Sequence, residues 1–204
     1  MRRSLSVAVV AGLLVGTGVA LASPKPLPLR DRLIKKGEFA GFRPESSTHS
    51  FKSAKAWVVA GPHPSTAPTS GEIARLRREG FVAVLAKFLD RGSARGSGLS
   101  WVMQLGSAAS ARAELKVDLT ENKAQTTASG GSFSAFSVPA IRGARGYRVS
   151  GGGTVGENIF FADGPFLYLV GQGWSSADTH PPTRAGLVTA VTTLYRRVHG
   201  HPAG

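Results

Sequence analysis

The chain has 204 residues and no cysteine. Its fold is therefore held without disulfides, and it offers no thiolate for a metal site, a nucleophile or a lipid anchor. The restriction matters because the chain opens like an exported protein. Met1-Arg2-Arg3 is a short cationic start, residues 5–21 are uncharged and mostly apolar, and Ala20-Leu21-Ala22 has the spacing of a cleavage site. Residues 1–22 read as a signal peptide, with an uncleaved N-terminal membrane anchor as the alternative. The expected location is secreted or extracytoplasmic. An exported domain without disulfides needs an apolar core, and a hydrophobic share of 42% supplies one.

Residues 23–68 read as an extended, proline-punctuated segment with a short helix near residues 29–36, and residues 69–200 as the folded domain, followed by a tail, 201–204. Residues 51–60, with Ala54, Trp57 and Val58, suit either a short helix or a strand. Thr69 and Glu72 have capping-box spacing, Ile73 and Leu76 give a helix its inner face, and Gly80 suits its end. Residues 81–89 and 99–105 read as strands, the second half-buried through Leu99, Trp101, Met103 and Leu105. Ser107 caps a helix with the apolar stripe Ala108, Ala111, Leu115 and Leu119. Residues 121–132 read as a polar connection. Residues 133–138, 147–150, 157–162 and 165–173 are strand candidates, and Asp163-Gly164 marks a hairpin. The closing helix carries Leu187, Val191, Leu194 and Val198 on one stripe. Its expected cap is Asp178 or Thr179, with Pro181 and Pro182 in the first turn. The order predicts an α+β fold: an antiparallel sheet with helices packed on one face, built as two strand–strand–helix halves.

Catalytic motifs are scarce. Gly151-x-Gly153-x-x-Gly156 matches the dinucleotide fingerprint, but a strand follows it where a helix N-terminus is needed, so it reads as a hairpin loop. No G-x-S-x-G or S-x-x-K occurs, which leaves Ser97 with no sequence-level partner. The histidines, His49, His63, His180, His199 and His201, have no metal-site spacing. Glu72 and Glu79 fall on one helix, and Glu114, Asp118 and Glu121 on a helix surface, so the chain shows no paired acids for glycoside cleavage. No metal and no cofactor is expected.

The candidate binding residues are Trp174, Asp178 and His180, which form one aromatic and titratable group, and Arg142, Arg145 and Arg148, spaced three apart. The full chain carries a formal net charge of +13. Basic charge on an exported protein points to an anionic cell-envelope polymer or lipid surface, and away from nucleic acid. The sequence does not name a small ligand.

From Gly80 onward the order of motifs resembles that of uncharacterised secreted proteins and lipoproteins of high-GC Gram-positive bacteria. The residues are Gly80-Phe81-Val82, Gln104-Leu105-Gly106-Ser107, Val138-Pro139, Gly143-Ala144-Arg145-Gly146, Asn158-Ile159-Phe160-Phe161-Ala162-Asp163-Gly164 and Tyr168-Leu169-Val170. The resemblance implies a small sensor-like α+β domain over residues 69–200. It carries no catalytic residue, and this chain lacks the lipobox cysteine of the lipoprotein members. The expected function is a non-enzymatic extracytoplasmic binding or sensor-like domain. The alternatives are a secreted hydrolase assembled from distant residues, such as Ser97 with His180, and an envelope-associated structural protein held by charge.

Overall fold

The structure is a computed structural model that describes residues 25–62, 69–92 and 96–202. The leader with Ala20 and Ala22, as well as His63 and Arg95, lies outside the described residues, as does the side chain of Thr69 with its expected capping box.

The chain begins with a single helical turn, Leu29–Arg32, and short strands β1 (Arg43–Pro44) and β2 (His49–Phe51). Helices α1 (Ala54–Ala60) and α2 (Thr69–Arg78) follow, then the hairpin β3 (Ala83–Asp90) and β4 (Gly96–Gln104). Helix α3 (Ala108–Ala128) leads to β5 (Ser132–Phe136), β6 (Arg145–Gly151), β7 (Thr154–Asp163) and β8 (Phe166–Ser175), and α4 (Arg184–Val198) closes the chain. The strands form one antiparallel sheet in the order β1-β3-β4-β8-β7-β6-β5, with β2 also paired to β3. The α+β class and the antiparallel sheet are those the sequence indicates.

The helices cover both faces of the sheet, not one. Val102, Ile159, Phe161, Tyr168 and Val170 pack under α4. Trp101, Met103, Phe160, Leu167 and Leu169 pack under α1, α2 and α3. Consecutive strand residues point to opposite faces, so an unbroken run such as Phe166–Val170 buries apolar side chains on both sides and needs two covers. The expected half-buried β4 is likewise buried on both faces through Trp101, Val102 and Met103. Both strand–strand–helix units exist, β3–β4–α3 and β7–β8–α4, but their helices lie on opposite sides. A two-fold axis relating antiparallel neighbours would keep both helices on one side, so the units are not symmetric copies.

Residues 25–62 belong to the same body. Leu33, Ile34, Phe39 and Phe42 join the α4-side core, and Ala54 and Trp57 join the other. Arg32 is fully buried. Its Nε donates to Leu27 O, and its guanidinium donates to Tyr168 Oη (2.9 Å), His201 O (2.7 Å) and Pro202 O (2.6 Å), with its carbon 3.8 Å from the Phe166 ring centre. Arg197 on α4 reinforces the tie by gripping Glu38 with two nitrogens (2.7 and 2.8 Å) and donating to Leu33 O. Two arginines thus fasten the start of the described chain to its end.

Local signals set several boundaries. Ser53 caps α1 by accepting from Ala56 N, and Ser107 caps α3 by accepting from Ser110 N. Helix α3 runs past the expected end near residue 122. The hydroxyls of Thr126 and Thr127 donate to the carbonyls of Asn122 and Lys123, so these side chains are satisfied within the helix instead of competing for its backbone amides. The cap of α4 is Thr183, not Asp178 or Thr179. Pro181 and Pro182 precede the helix, because a proline holds the residue before it extended.

Candidate functional site

The hairpin β6–β7 turns at Gly152 and Gly153, both with positive φ (58° and 77°). This is the conformation glycine adopts freely, and it fixes the register of the two strands. The Gly151–Gly156 run is thus a hairpin turn, and Arg148 pairs directly across from Glu157. On the other side of β7, Gln172 of β8 also lies opposite Glu157.

Glu157 is 2% exposed. One of its oxygens accepts from Arg184 Nε (3.0 Å) and Nη2 (2.8 Å), with Arg148 Nη1 at 3.5 Å; the other accepts from Gln172 Nε2 (3.1 Å). Arg184 is the first residue of α4, so this ion pair ties the start of the helix to β7. Arg148 lies 5.5 Å from the Trp174 ring centre, and Arg184 lies 4.3 Å from that of Phe136. Together with Pro181 and Pro182, Arg148, Glu157, Trp174 and Arg184 line a groove of about 340 Å³. The side chains of Arg148 and Arg184 remain 41% and 45% exposed, so each presents guanidinium surface to the groove while Glu157 sits beneath.

The Phe136 seat depends on a missing side chain. A Cβ on Gly146, its cross-strand partner, would overlap the Phe136 ring. Gly146→Ala is expected to displace Phe136, loosen Arg184 and lower stability by about 1–3 kcal/mol, the usual range for overpacking. Urea unfolding of the variant measures this, and an unchanged midpoint would mean the ring has free space to move into.

Of the expected site residues, the structure brings Trp174 and Arg148 to this groove. Asp178 and His180 sit in the following loop, where they hold Arg91. Arg91 donates to Asp178 Oδ2 (3.0 Å) and to the His180 carbonyl (2.5 Å), and His180 N donates to Asp178 Oδ1. The His180 amide, followed by Arg91, holds the Asp178 carboxyl below its ordinary range. The basic triplet does not form one patch. Arg142 is exposed in the β5–β6 connection, and Arg145 and Arg148, an odd number of residues apart on a strand, point to opposite faces. Ser97 borders a different depression of about 520 Å³, beside Val149, Gly156, Gly173 and Trp174; its described lining includes no histidine or carboxylate. His180 is held elsewhere, with Nδ1 3.0 Å from Thr179 Oγ1.

The acids of α2 and α3 are the larger departure. Glu114, Asp118 and Glu121 do not lie on a solvated helix surface. They turn inward toward α2, and Glu114 is 1% exposed. Arg75 pairs with Glu114 and lies 3.9 Å from both Glu79 and Glu121, and Glu72 is buried beside them. Asp118 adds a fifth carboxyl, pushed up to about 8 by burial, with Glu121, Glu72 and Glu79 adding to the effect against Arg75. Burial also raises Glu79 and the phenol of Tyr147, which donates to Asn122 Oδ1 below the cluster. Among the described residues, no three of these side chains are grouped to hold a metal ion.

No protein-family model and no curated protein sequence matches the chain. Among solved structures, its fold is similar to the extracellular domain of PknH from Mycobacterium tuberculosis. The identity is 9% and the TM-score 0.47, over 76% of this chain and 84% of that one. No helix among the described residues is long and apolar enough to cross a membrane.

Proposed function

We propose that the chain is a non-enzymatic extracytoplasmic binding domain, and that the groove between Trp174 and the start of α4 receives an anionic group. The observation that carries this reading is the pair Arg148 and Arg184, anchored on buried Glu157 yet half-exposed toward the groove. Two guanidinium groups on one carboxylate leave one positive charge uncompensated. Because Glu157 already fixes the Arg184 fork, little side-chain freedom is lost when a ligand oxygen arrives. The Trp174 ring forms an apolar wall against which a planar or ring-bearing ligand can lie.

The test is a fluorescence and thermal-shift titration with inorganic phosphate and succinate, with glucose as the neutral comparison. Saturable responses to the anions alone are expected. Arg184→Gln should weaken them about tenfold or more, in keeping with the loss of a charge-assisted hydrogen bond. Arg196→Gln, on the exposed side of α4, should leave them unchanged. Equal responses in all three proteins, or none, would remove the groove from consideration.

A further inference from the structure

Helices α2 and α3 reverse the usual arrangement of charge. In most surface helices both signs of charge face water. Here the acids of the pair, Glu72, Glu79, Glu114, Asp118 and Glu121, gather around Arg75 between the helices. The remaining cations, Arg77 and Arg78 on α2 and Arg112, Lys116 and Lys123 on α3, all point outward and are exposed. The outer face of α3 therefore presents one sign of charge, and the exposed charges of α2 share that sign. The row on α3 alone extends about 16 Å along the helix axis.

We infer that this outer surface docks on an anionic lipid bilayer. Charge complementarity and shape both favour a bilayer. Arg112, Lys116 and Lys123 lie within about 40° of one another around the convex outer face of α3, with the small residues Ala113 and Thr120 exposed beside them. A plane of anionic headgroups meets such an array directly, whereas a single polymer strand is gripped by a groove. Each basic residue near an anionic membrane surface strengthens partitioning by a factor of about five, and salt weakens the effect. Turning the acids inward removes the repulsion they would otherwise bring to the same surface. This inference is independent of the Arg148–Arg184 groove on the opposite side of the sheet.

The experiment is co-sedimentation of the full chain with phosphatidylcholine vesicles, with and without phosphatidylglycerol. Binding to the neutral vesicles measures any contribution from the apolar N-terminal residues. Binding that depends on phosphatidylglycerol and is reversed by salt is expected. The triple variant Arg112→Gln/Lys116→Gln/Lys123→Gln should weaken it at least tenfold. Lys36→Gln/Arg142→Gln/Arg196→Gln, which removes the same charge elsewhere, should weaken it much less. The pair Arg77→Gln/Arg78→Gln provides a second reading if the triple variant folds poorly, as judged by circular dichroism. Equal losses in the α3 and control variants would reduce the effect to net charge and overturn the inference. So would binding to soluble polyphosphate without binding to phosphatidylglycerol vesicles.

Discussion

Replacing Arg32 with alanine is expected to lower the unfolding free energy by about 3–5 kcal/mol, the upper range for truncating a large, fully buried side chain together with its charge-assisted hydrogen bonds. Three losses combine. The Tyr168 hydroxyl, buried and pushed up to about 12 so that it stays neutral, loses its partner. The cation leaves the face of Phe166, and the long side chain leaves a void. The carbonyls of Leu27, His201 and Pro202 lose the donor that gathers both ends of the described chain. In a domain of this size the midpoint should fall by roughly 6–20 °C. Arg32→Lys keeps the charge but not the planar fork, so it should recover only part of the loss. Thermal and urea unfolding measure both variants. A shift within about 0.5 kcal/mol, as for an ordinary surface site, would mean that the termini are held by packing alone.

Stability should also fall as pH rises from about 5 to about 8. Asp118 binds its proton more tightly in the folded chain, at about 8, than at its ordinary value of 3.8. Between those values folding takes up a proton, so the contribution is complete below about pH 4 and is lost as pH climbs through the folded value. One proton gives a slope of at most about 1.4 kcal/mol per pH unit. Glu38 moves the other way. Hydrogen bonds and charge from Arg197 outweigh its desolvation and hold its carboxyl below 4.5, so its contribution is lost at lower pH. The expected profile therefore peaks on the acid side of neutrality, near about pH 5. Asp118→Asn keeps the shape without the charge and should flatten the decline, leaving the variant the more stable protein at pH 8. Urea unfolding at several pH values tests this. A wild-type profile that is flat or rises between pH 5 and 8 would show that Asp118 is ionised in the folded chain.

Much of the element order is legible in the sequence because its signals are local. Ser107 before an apolar stripe, the Leu187–Val191–Leu194–Val198 stripe and the glycines of the β6–β7 turn each act over a few residues. The candidate site is partly within reach by the same route. Once Gly152-Gly153 is taken as the turn, strand register alone places Arg148 opposite Glu157. Arg184 is not reachable in this way, because it meets Glu157 only after α4 folds back over the sheet, 27 residues later. The expected hairpin at Asp163-Gly164 is shifted by one residue, with Gly164 and Pro165 between the paired Asp163 and Phe166.

An α+β chain without cysteine, its hairpins and most of its helices follow from sequence, since period, caps and turn residues act between near neighbours. Which way the charges face is set by packing and by nothing local. A charge read along one helix is assigned to water, because isolated burial is costly. That assignment fails for Arg32, which finds acceptors in Leu27, Tyr168 and the chain's last described residues. It fails again for Glu114, Asp118 and Glu121, which meet Arg75 from another helix. In each case the compensating group arrives from a distant part of the chain, and the two meet only once the helices and sheet have come together.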